Sequence, residues 1–341
     1  MMDFHYDSKD LRTSPVSWDS VNNGSLSRFD EILSTTWDAA VEQGLFQYTL
    51  QSCKYKVFKK DSMQLVAILN TERYFKKRKR VTVESMNAPF SNEQFNFTKV
   101  KLGEILFNLV PGGDTAAYNS SSNGSHKVII NVCPIDYGHI LLAPDMQECL
   151  PQKMTLSSLL LMFDVIELSA HPGFRIGFNT LHAWASVNHL HYHAMYFNYP
   201  IFIDTHPATQ HVKSHCYLLD NTPVPGFFFA IPMGLEKRTQ VAKEIITIAD
   251  NLHEIEVPFN VMITRNGEET RLAFFPRLSV KDRQFSLSFD LACVEVGGQY
   301  PIKVESEFDK LSFESIVQKM KEEALTEEKF KEIVTFVKQM L

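Results

Sequence analysis

Apolar residues recur along this chain at two intervals, one typical of helices and the other of strands. Between Ser27 and Gly44, Phe29, Leu33 and Ala40 lie at helical spacing, which predicts a helix with one buried face. Further helices are expected at 159–168, 236–252, 312–324 and 327–341, and strands at 55–58, 65–69, 128–132, 138–143, 175–179, 187–197, 260–264 and 272–275. The expected fold class is α+β, an antiparallel sheet with flanking helices.

Two polar stretches divide this pattern. Residues 1–25 are rich in Ser, Asp and Asn and lack periodicity, so we expect a mobile N-terminal tail. Residues 112–126 are mostly small, which predicts a flexible insertion within a first half over 26–205. Residues 206–341 repeat the order of elements loosely and end in two charged helices, which predicts a second, degenerate half.

Charge and cysteine content limit the kinds of partner. The 341 residues carry a formal net charge of −6, so neither nucleic acid nor an anionic membrane surface is an expected partner. No apolar run is long enough to span a bilayer and no signal peptide is recognisable, which predicts a cytoplasmic protein. The five cysteines lack C-x-x-C spacing, so disulfides and structural zinc are not expected. Monomer and homodimer remain equally open.

Three histidines at every second position form the most informative feature of the chain. On a strand over 187–197, His189, His191 and His193 would share one face. Three buried rings without partners would cost roughly 1–3 kcal/mol for each unsatisfied group, so such an array indicates a ligand. Asp204 is the only acidic residue at 168–204, whereas Asn179 and Ser186 are nearby amide and hydroxyl groups. This favours a phosphate ligand, with zinc and a satisfied structural cluster as alternatives, so neither a metal nor a cofactor is expected.

A basic block, Lys76-Lys77-Arg78-Lys79-Arg80, follows the first predicted hairpin. It is interpreted as a solvated surface or a nuclear address in preference to a set of cations near a diphosphate.

Two segments resemble the landmarks of a known superfamily. Residues 188–196 are similar to the His-φ-His-φ-His/Gln-φ-φ signature of the histidine-triad superfamily, where φ is apolar, and residues 134–144 resemble its preceding hairpin. Residues 44–48, 95–100 and 104–107 are similar to the GDP-hexose phosphorylases, and the likeness extends from about 27 to at least 277. Plant members tend to carry Gln at the third triad position, so His193 favours the animal branch, which acts on GDP-D-glucose.

The resemblance implies a function and a role for each site residue. It implies two histidine-triad-like halves and phosphorolysis of GDP-D-glucose by inorganic phosphate, to GDP and glucose 1-phosphate, through a covalent guanylyl-histidine. His191 is the expected nucleophile, with His189 and His193 donating to phosphoryl oxygens. The expected substrate contacts are Ser186, Asn179 at the diphosphate or ribose, Asn131 at the nucleotide, Lys99 as a phosphate cation, and His139 as an orienting donor or as a histidine satisfied by main chain.

Two other functions remain open from the sequence. A nucleotide or nucleotide-sugar hydrolase would use water as the second acceptor, and a non-catalytic nucleotide-sugar sensor would bind without turnover. Dependence of GDP release on phosphate separates the first of these from a phosphorylase.

Overall fold

The computed structural model describes residues 2–12, 14–21, 26–77, 83–119, 126–208, 210–219, 221–267, 269–281 and 286–341. Within these ranges the strands are β1 Met2–Tyr6, β2 Lys54–Lys60, β3 Met63–Leu69, β4 Ile105–Pro111, β5 His126–Ile130, β6 Ile140–Ala143, β7 Phe174–Asn179, β8 Tyr192–Tyr196, β9 Gln210–Lys213, β10 Cys216–Leu219, β11 Gly226–Ile231, β12 Phe259–Asn266, β13 Glu269–Pro276 and β14 Gln299–Ile302. The helices are α1 Trp18–Val21, α2 Arg28–Glu42, α3 Thr71–Lys76, α4 Gly113–Asn119, α5 Leu156–Leu168, α6 Phe202–Thr205, α7 Leu235–Glu254, α8 Cys293–Gly297, α9 Glu305–Lys310, α10 Phe313–Glu323 and α11 Glu327–Met340. The helices predicted from apolar spacing are present as α2, α5, α7, α10 and α11.

Eleven of the described strands form one sheet with the order β1-β4-β5-β6-β8-β7-β12-β13-β11-β10-β9. Neighbouring strands are antiparallel throughout, except that β1 and β4 are parallel. β7 pairs with β12, with Ile176 opposite Ile263, so strands from the first half of the chain are joined to strands from the second. The α+β fold predicted from the sequence is confirmed.

The two faces of this sheet bury different clusters. Val261 and Ile263 of β12 belong to the core formed with α2, α5, α7 and α11. Met262 between them belongs to the core formed with α8 and α10. This alternation follows from the period of two along a strand. The sheet is therefore covered on both sides.

Helix α5 lies deep in the first core. It is apolar around nearly its whole circumference, and every residue from Ser158 to Leu168 is buried. Its two carboxylates, Asp164 and Glu167, form ion pairs with Arg238 of α7 at 3.1 and 2.6 Å. Because the charges are paired across the two helices, α5 can be buried despite carrying them.

A second sheet of three strands, β14-β3-β2, packs on the side of α8. β2 and β3 form the predicted hairpin, with Val57 opposite Val66. β14 joins β3 in parallel, although the two strands are more than 200 residues apart in sequence. This pairing joins a strand of the second half of the chain to the hairpin of the first half.

One expectation about a flexible segment is wrong, and a second is only partly covered by the residues that the structure describes. Met2–Tyr6 is not a tail but the strand β1, which pairs with β4 and buries Phe4 and Tyr6. A segment of five residues is too short to show a recognisable apolar period, so the sequence pattern did not reveal this strand. Within the predicted insertion, Gly113–Asn119 is helical and β5 begins at His126, while residues 120–125 lie outside the described residues.

Candidate active site

The histidine array lies where the chain enters β8. His193 is on β8, whereas His189 and His191 precede it, so the predicted strand is shorter at its start than expected. The side chain of Gln152 makes main-chain hydrogen bonds that a neighbouring strand would make in a sheet. Its amide oxygen accepts from the His191 N–H at 2.9 Å, and its Nε2 donates to the carbonyl oxygens of His191 and Asn179 at 3.0 and 2.9 Å. Gln152 thus fixes the backbone on both sides of the His191 side chain.

His191 is held in one tautomer by its own segment. Its Nδ1 lies 2.7 Å from the carbonyl oxygen of His189, which can only accept, so Nδ1 carries the proton and Nε2 carries the lone pair. Burial lowers the pKa of His191 to about 4, so the ring is neutral near pH 7. A neutral imidazole with an unprotonated Nε2 is a suitable nucleophile.

A chain of hydrogen bonds likewise determines the protonation of His193. The Ile135 N–H donates to His139 Nδ1 at 2.9 Å, so neutral His139 carries its proton on Nε2. That nitrogen lies 3.0 Å from His193 Nδ1 and donates to it. Burial, and then neighbouring charges, lower the pKa of both rings well below the usual value. His193 is therefore neutral and presents Nε2–H as a donor. Asn131 Nδ2, at 3.2 Å from His139 Nε2, faces a protonated nitrogen and does not donate to it.

His189 is fully buried, and both of its ring nitrogens bond to main chain. Nδ1 accepts from the Phe97 N–H at 3.1 Å, and Nε2 lies 3.0 Å from the Met146 carbonyl oxygen. The expectation that all three rings share one face is wrong, because the chain is not yet a strand at His189. His189 presents no ring nitrogen to phosphoryl oxygens, and its contacts position the backbone beside His191.

A cavity of about 1040 Å³ opens over His191 and His193. This volume is slightly above the range of roughly 300–1,000 Å³ found for small-molecule sites. One part of its wall is apolar and the other carries charge. The apolar part includes Phe95, Phe97, Val100, Ile129, Leu141 and Val187, and the charged part includes Arg73, Lys76, Lys77, Asp290, Glu295 and Lys303. The cavity can accommodate a ligand with an apolar end and an anionic or polar end.

Three of the predicted contact residues line this cavity, namely Asn131, Asn179 and Ser186. The Asn179 side-chain oxygen accepts from Asn260 Nδ2 at 2.6 Å and from the Cys293 N–H at 2.8 Å, so Asn179 connects β7 to β12 and α8.

Another expected contact, Lys99, lies elsewhere. Lys99 does not line the cavity, because its ammonium donates to main-chain carbonyl oxygens of its own loop, among them Gln94 O at 2.7 Å. The phosphate contact expected of Lys99 is absent from this arrangement. His182 lies 2.9 Å from the carbonyl oxygen of Val83 and is also outside the cavity.

Two cations of the cavity, Lys76 and Lys77, belong to the basic block that the sequence analysis assigned to the surface. Asn70 caps α3, accepting from the Arg73 N–H at 3.2 Å and donating to Pro134 O at 3.1 Å. Arg73 in turn donates to the Cys133 carbonyl oxygen. Lys77, at the end of α3, is thereby placed in the cavity wall, so the surface interpretation is wrong at this position; Arg78–Arg80 lie outside the described residues. Burial, and then Arg73, lower the pKa of Lys77.

Two kinds of feature are absent from the part of the chain that the structure describes. No group of three or more His, Cys, Asp or Glu side chains is arranged there to hold a metal ion. Among the same residues, no helix combines the length and the apolar character needed to cross a membrane.

Comparison with known proteins identifies the family. Two family models match, "GDPGP1-like, N-terminal domain" over residues 28–195 and "GDPGP1-like, C-terminal domain" over residues 203–341. The chain belongs to the GDPGP1-like family. Its relatives include GDP-D-glucose phosphorylase 1 of Macaca fascicularis, 32% identical with 91% of this chain and 84% of the relative covered. GDP-L-galactose phosphorylase 1 of Arabidopsis thaliana is 29% identical, with 87% of this chain and 70% of the relative covered.

The GDPGP1-like fold is also similar to a solved structure. The crystal structure of yeast Ap4A phosphorylase Apa2 superimposes with a TM-score of 0.62, covering 87% of this chain and 97% of that one. The two sequences are 13% identical, so this likeness concerns the fold alone.

Proposed function

We propose that this protein is a nucleotidyltransferase that cleaves GDP-hexoses by phosphorolysis, with GDP-D-glucose as its substrate. The observation that carries the proposal is the state of His191. Its Nδ1 proton is held by the His189 carbonyl, which leaves the Nε2 lone pair for attack in a cavity large enough for a nucleotide sugar.

The relatives support the class of substrate. Animal relatives are named GDP-D-glucose phosphorylase 1, including the human protein at 31% identity, and plant relatives are named GDP-L-galactose phosphorylase at 29% and 28%. Both groups are named for a GDP-hexose and for phosphorolysis. The choice of D-glucose rests on the animal relatives and on His193 in the third triad position.

In the first step His191 Nε2 attacks the α-phosphorus of GDP-glucose. The bond to the β-phosphate oxygen breaks, and glucose 1-phosphate leaves while GMP stays bound to the histidine. The His193 Nε2–H, oriented by His139, donates to a phosphoryl oxygen as negative charge develops. Arg73 and Lys77 on the adjacent wall offset the charge of the departing phosphate.

In the second step an oxygen of inorganic phosphate attacks the same phosphorus. The P–N bond to His191 breaks, GDP leaves, and the histidine returns to its starting tautomer. Asn179, Ser186 and Asn131 line the cavity around this centre and are proposed as contacts of the bound nucleotide. The scheme requires GDP-hexose and phosphate and involves no metal ion or organic cofactor.

The covalent intermediate provides the test. Brief incubation with GDP-glucose in the absence of phosphate should raise the intact protein mass by one GMP, and the His191→Asn variant should stay unlabelled. Added phosphate should then release GDP. A wild-type protein that never acquires GMP contradicts the proposal, and release of GMP into water at the same rate with or without phosphate identifies a hydrolase instead.

A further inference from the structure

The wall of the cavity changes character in a definite order. The ring centroid of Phe97, on the apolar part, lies 5.0 Å from that of His191, and the centroids of His191 and His193 lie 5.3 Å apart. The positive charges of Arg73 and Lys77 act on His193, so these two residues follow it along the wall. The order along the wall is therefore apolar surface, nucleophile, second histidine and cations.

Beyond these cations the cavity reaches residues of the C-terminal half. Lys77 interacts electrostatically with Asp290, Glu295 and Lys303, all of which line the same cavity. Lys303 Nζ is fixed by Asp290 Oδ2 at 2.5 Å and by the Ser286 carbonyl oxygen at 2.6 Å. This end of the cavity thus combines an oriented ammonium group with carboxylates.

Glu295 is the second carboxylate of this group. It is 5% exposed, and its Oε2 accepts from the Ala292 N–H at 2.9 Å, which fixes the side chain against the start of α8. Asp290, by contrast, uses one oxygen for Lys303 and the other for the Ser286 N–H at 3.0 Å. Burial raises the pKa of Glu295 to about 7, and the charge of Lys77 opposes this shift. An oriented carboxyl oxygen in the wall of a cavity accepts well from hydroxyl groups, because few water molecules compete there.

The groups of a GDP-hexose follow one another in the same order as this wall. A planar base comes first, then the ribose, the α-phosphate, the β-phosphate and finally the hexose. We propose that Glu295 and Lys303 form the hexose subsite, where the Glu295 carboxylate accepts from sugar hydroxyls and the Lys303 ammonium donates to them. This inference rests on the proposed function, because it takes the α-phosphorus to lie at His191. Arg73 and Lys77 then face the β-phosphate.

The assignment gives the C-terminal half a role in recognition. That half carries no histidine array, yet β14 and α8 bring Glu295 and Lys303 into the cavity built around β8. Sites that hydrogen-bond a substrate hydroxyl reject analogues lacking it far better than apolar pockets do, because their buried polar groups are then left unpaired. Selectivity among hexoses is accordingly expected to depend on this half of the chain.

The experiment compares two guanylyl donors in single-turnover labelling of the full-length protein. GDP-glucose carries the hexose, whereas GDP labels His191 by reversal of the second step, with phosphate as the leaving group. For Glu295→Gln we expect kcat/KM of labelling by GDP-glucose to fall about tenfold or more, and labelling by GDP to change less than about threefold. Gln preserves the bond from Ala292 N–H, so α8 should be retained. Glu295→Asp should recover part of the lost rate.

Two control variants make the outcomes distinct. Glu305→Gln, an exposed carboxylate of the same half that pairs with Lys54, should leave both donors unaffected. Lys77→Met should slow labelling by both donors, because in each case the guanylyl group is transferred away from a phosphate. If Glu295→Gln lowers kcat/KM of labelling equally for both donors, Glu295 contacts the nucleotide or supports the fold, and the hexose subsite is refuted. The subsite is also refuted if labelling by neither donor is slowed. A wild type that is labelled by neither donor refutes the proposed function itself.

Discussion

His139 Nε2 lies 3.0 Å from His193 Nδ1, and the Ile135 N–H donates to the opposite side of the His139 ring. Since a neutral imidazole carries one proton, this pair of contacts permits a single arrangement, with the proton of His193 directed into the cavity. A main-chain amide of the hairpin therefore determines which way the His193 side chain can donate.

Removing this orienting contact should slow chemistry more than binding. His139→Leu frees His193 to adopt either tautomer, and loss of one hydrogen bond of about 1 kcal/mol corresponds to roughly a five- to tenfold fall in kcat. Steady-state kinetics with GDP-glucose and phosphate measures kcat and KM separately. The matched control is His182→Asn, at a histidine outside the cavity, which should leave both constants unchanged. An unaltered kcat in His139→Leu would show that His193 needs no orientation.

Gln152 should matter for both stability and rate. Its buried side chain satisfies the N–H and C=O of His191 and the C=O of Asn179, so Gln152→Met leaves three main-chain groups without their partner. We expect the free energy of unfolding to fall by about 2 kcal/mol or more, and kcat of the folded fraction to fall at least tenfold. Gln152→Glu can still accept from the His191 N–H and should retain more activity. Denaturant titration and active-site labelling measure the two effects, and wild-type values for Gln152→Met would contradict this role.

The nucleophile should titrate far below the usual histidine range. Burial lowers the pKa of His191 to about 4, so its neutral form persists as pH falls and is lost only on passing through that value. Side-chain ¹⁵N shifts of histidine-labelled protein, assigned with His191→Asn, should show an Nδ1–H tautomer between about pH 5 and pH 8. A midpoint near pH 6.5, or an Nε2–H tautomer, would rule out the arrangement described for His191.

A buried ion pair supports the junction of the two halves. Arg277, fully buried, pairs with Glu323 of α10 at 2.5 Å and donates to Asn260 at 3.2 Å, and Asn260 in turn bonds Asn179. Glu323→Ala removes the carboxylate that faces the buried Arg277 guanidinium and should lower the free energy of unfolding by about 3–5 kcal/mol. Glu322→Ala, at an exposed position of the same helix, should change it by no more than about 0.5 kcal/mol. Chemical denaturation measures the free energy of unfolding of both variants. Equal values for Glu323→Ala and Glu322→Ala would show that the ion pair contributes nothing to stability.

Local patterns predicted the elements with a clear period. Helix α7 and the hairpin of β12 and β13 were predicted with boundaries close to those observed, because apolar spacing and the Asn266-Gly267 turn act within a few residues. β1 was missed, since its pairing with β4 depends on residues about 100 positions away. The strand predicted over 187–197 began too early, because Gln152 supplies the contacts that a neighbouring strand would have made before Tyr192.

The sequence by itself determined that three histidines are spaced two apart after a hairpin with a fourth. Its resemblance to the histidine-triad superfamily then implied His191 as the nucleophile. Only the tertiary structure decided that the rings of His191 and His193 reach the cavity while His189 bonds main chain on both sides. It also decided that Lys77 and Glu295, more than 200 residues apart in sequence, line one wall. The physical reason is that periodicity depends on neighbouring residues, whereas a tautomer or a buried charge depends on partners brought together by the packing of distant strands and helices.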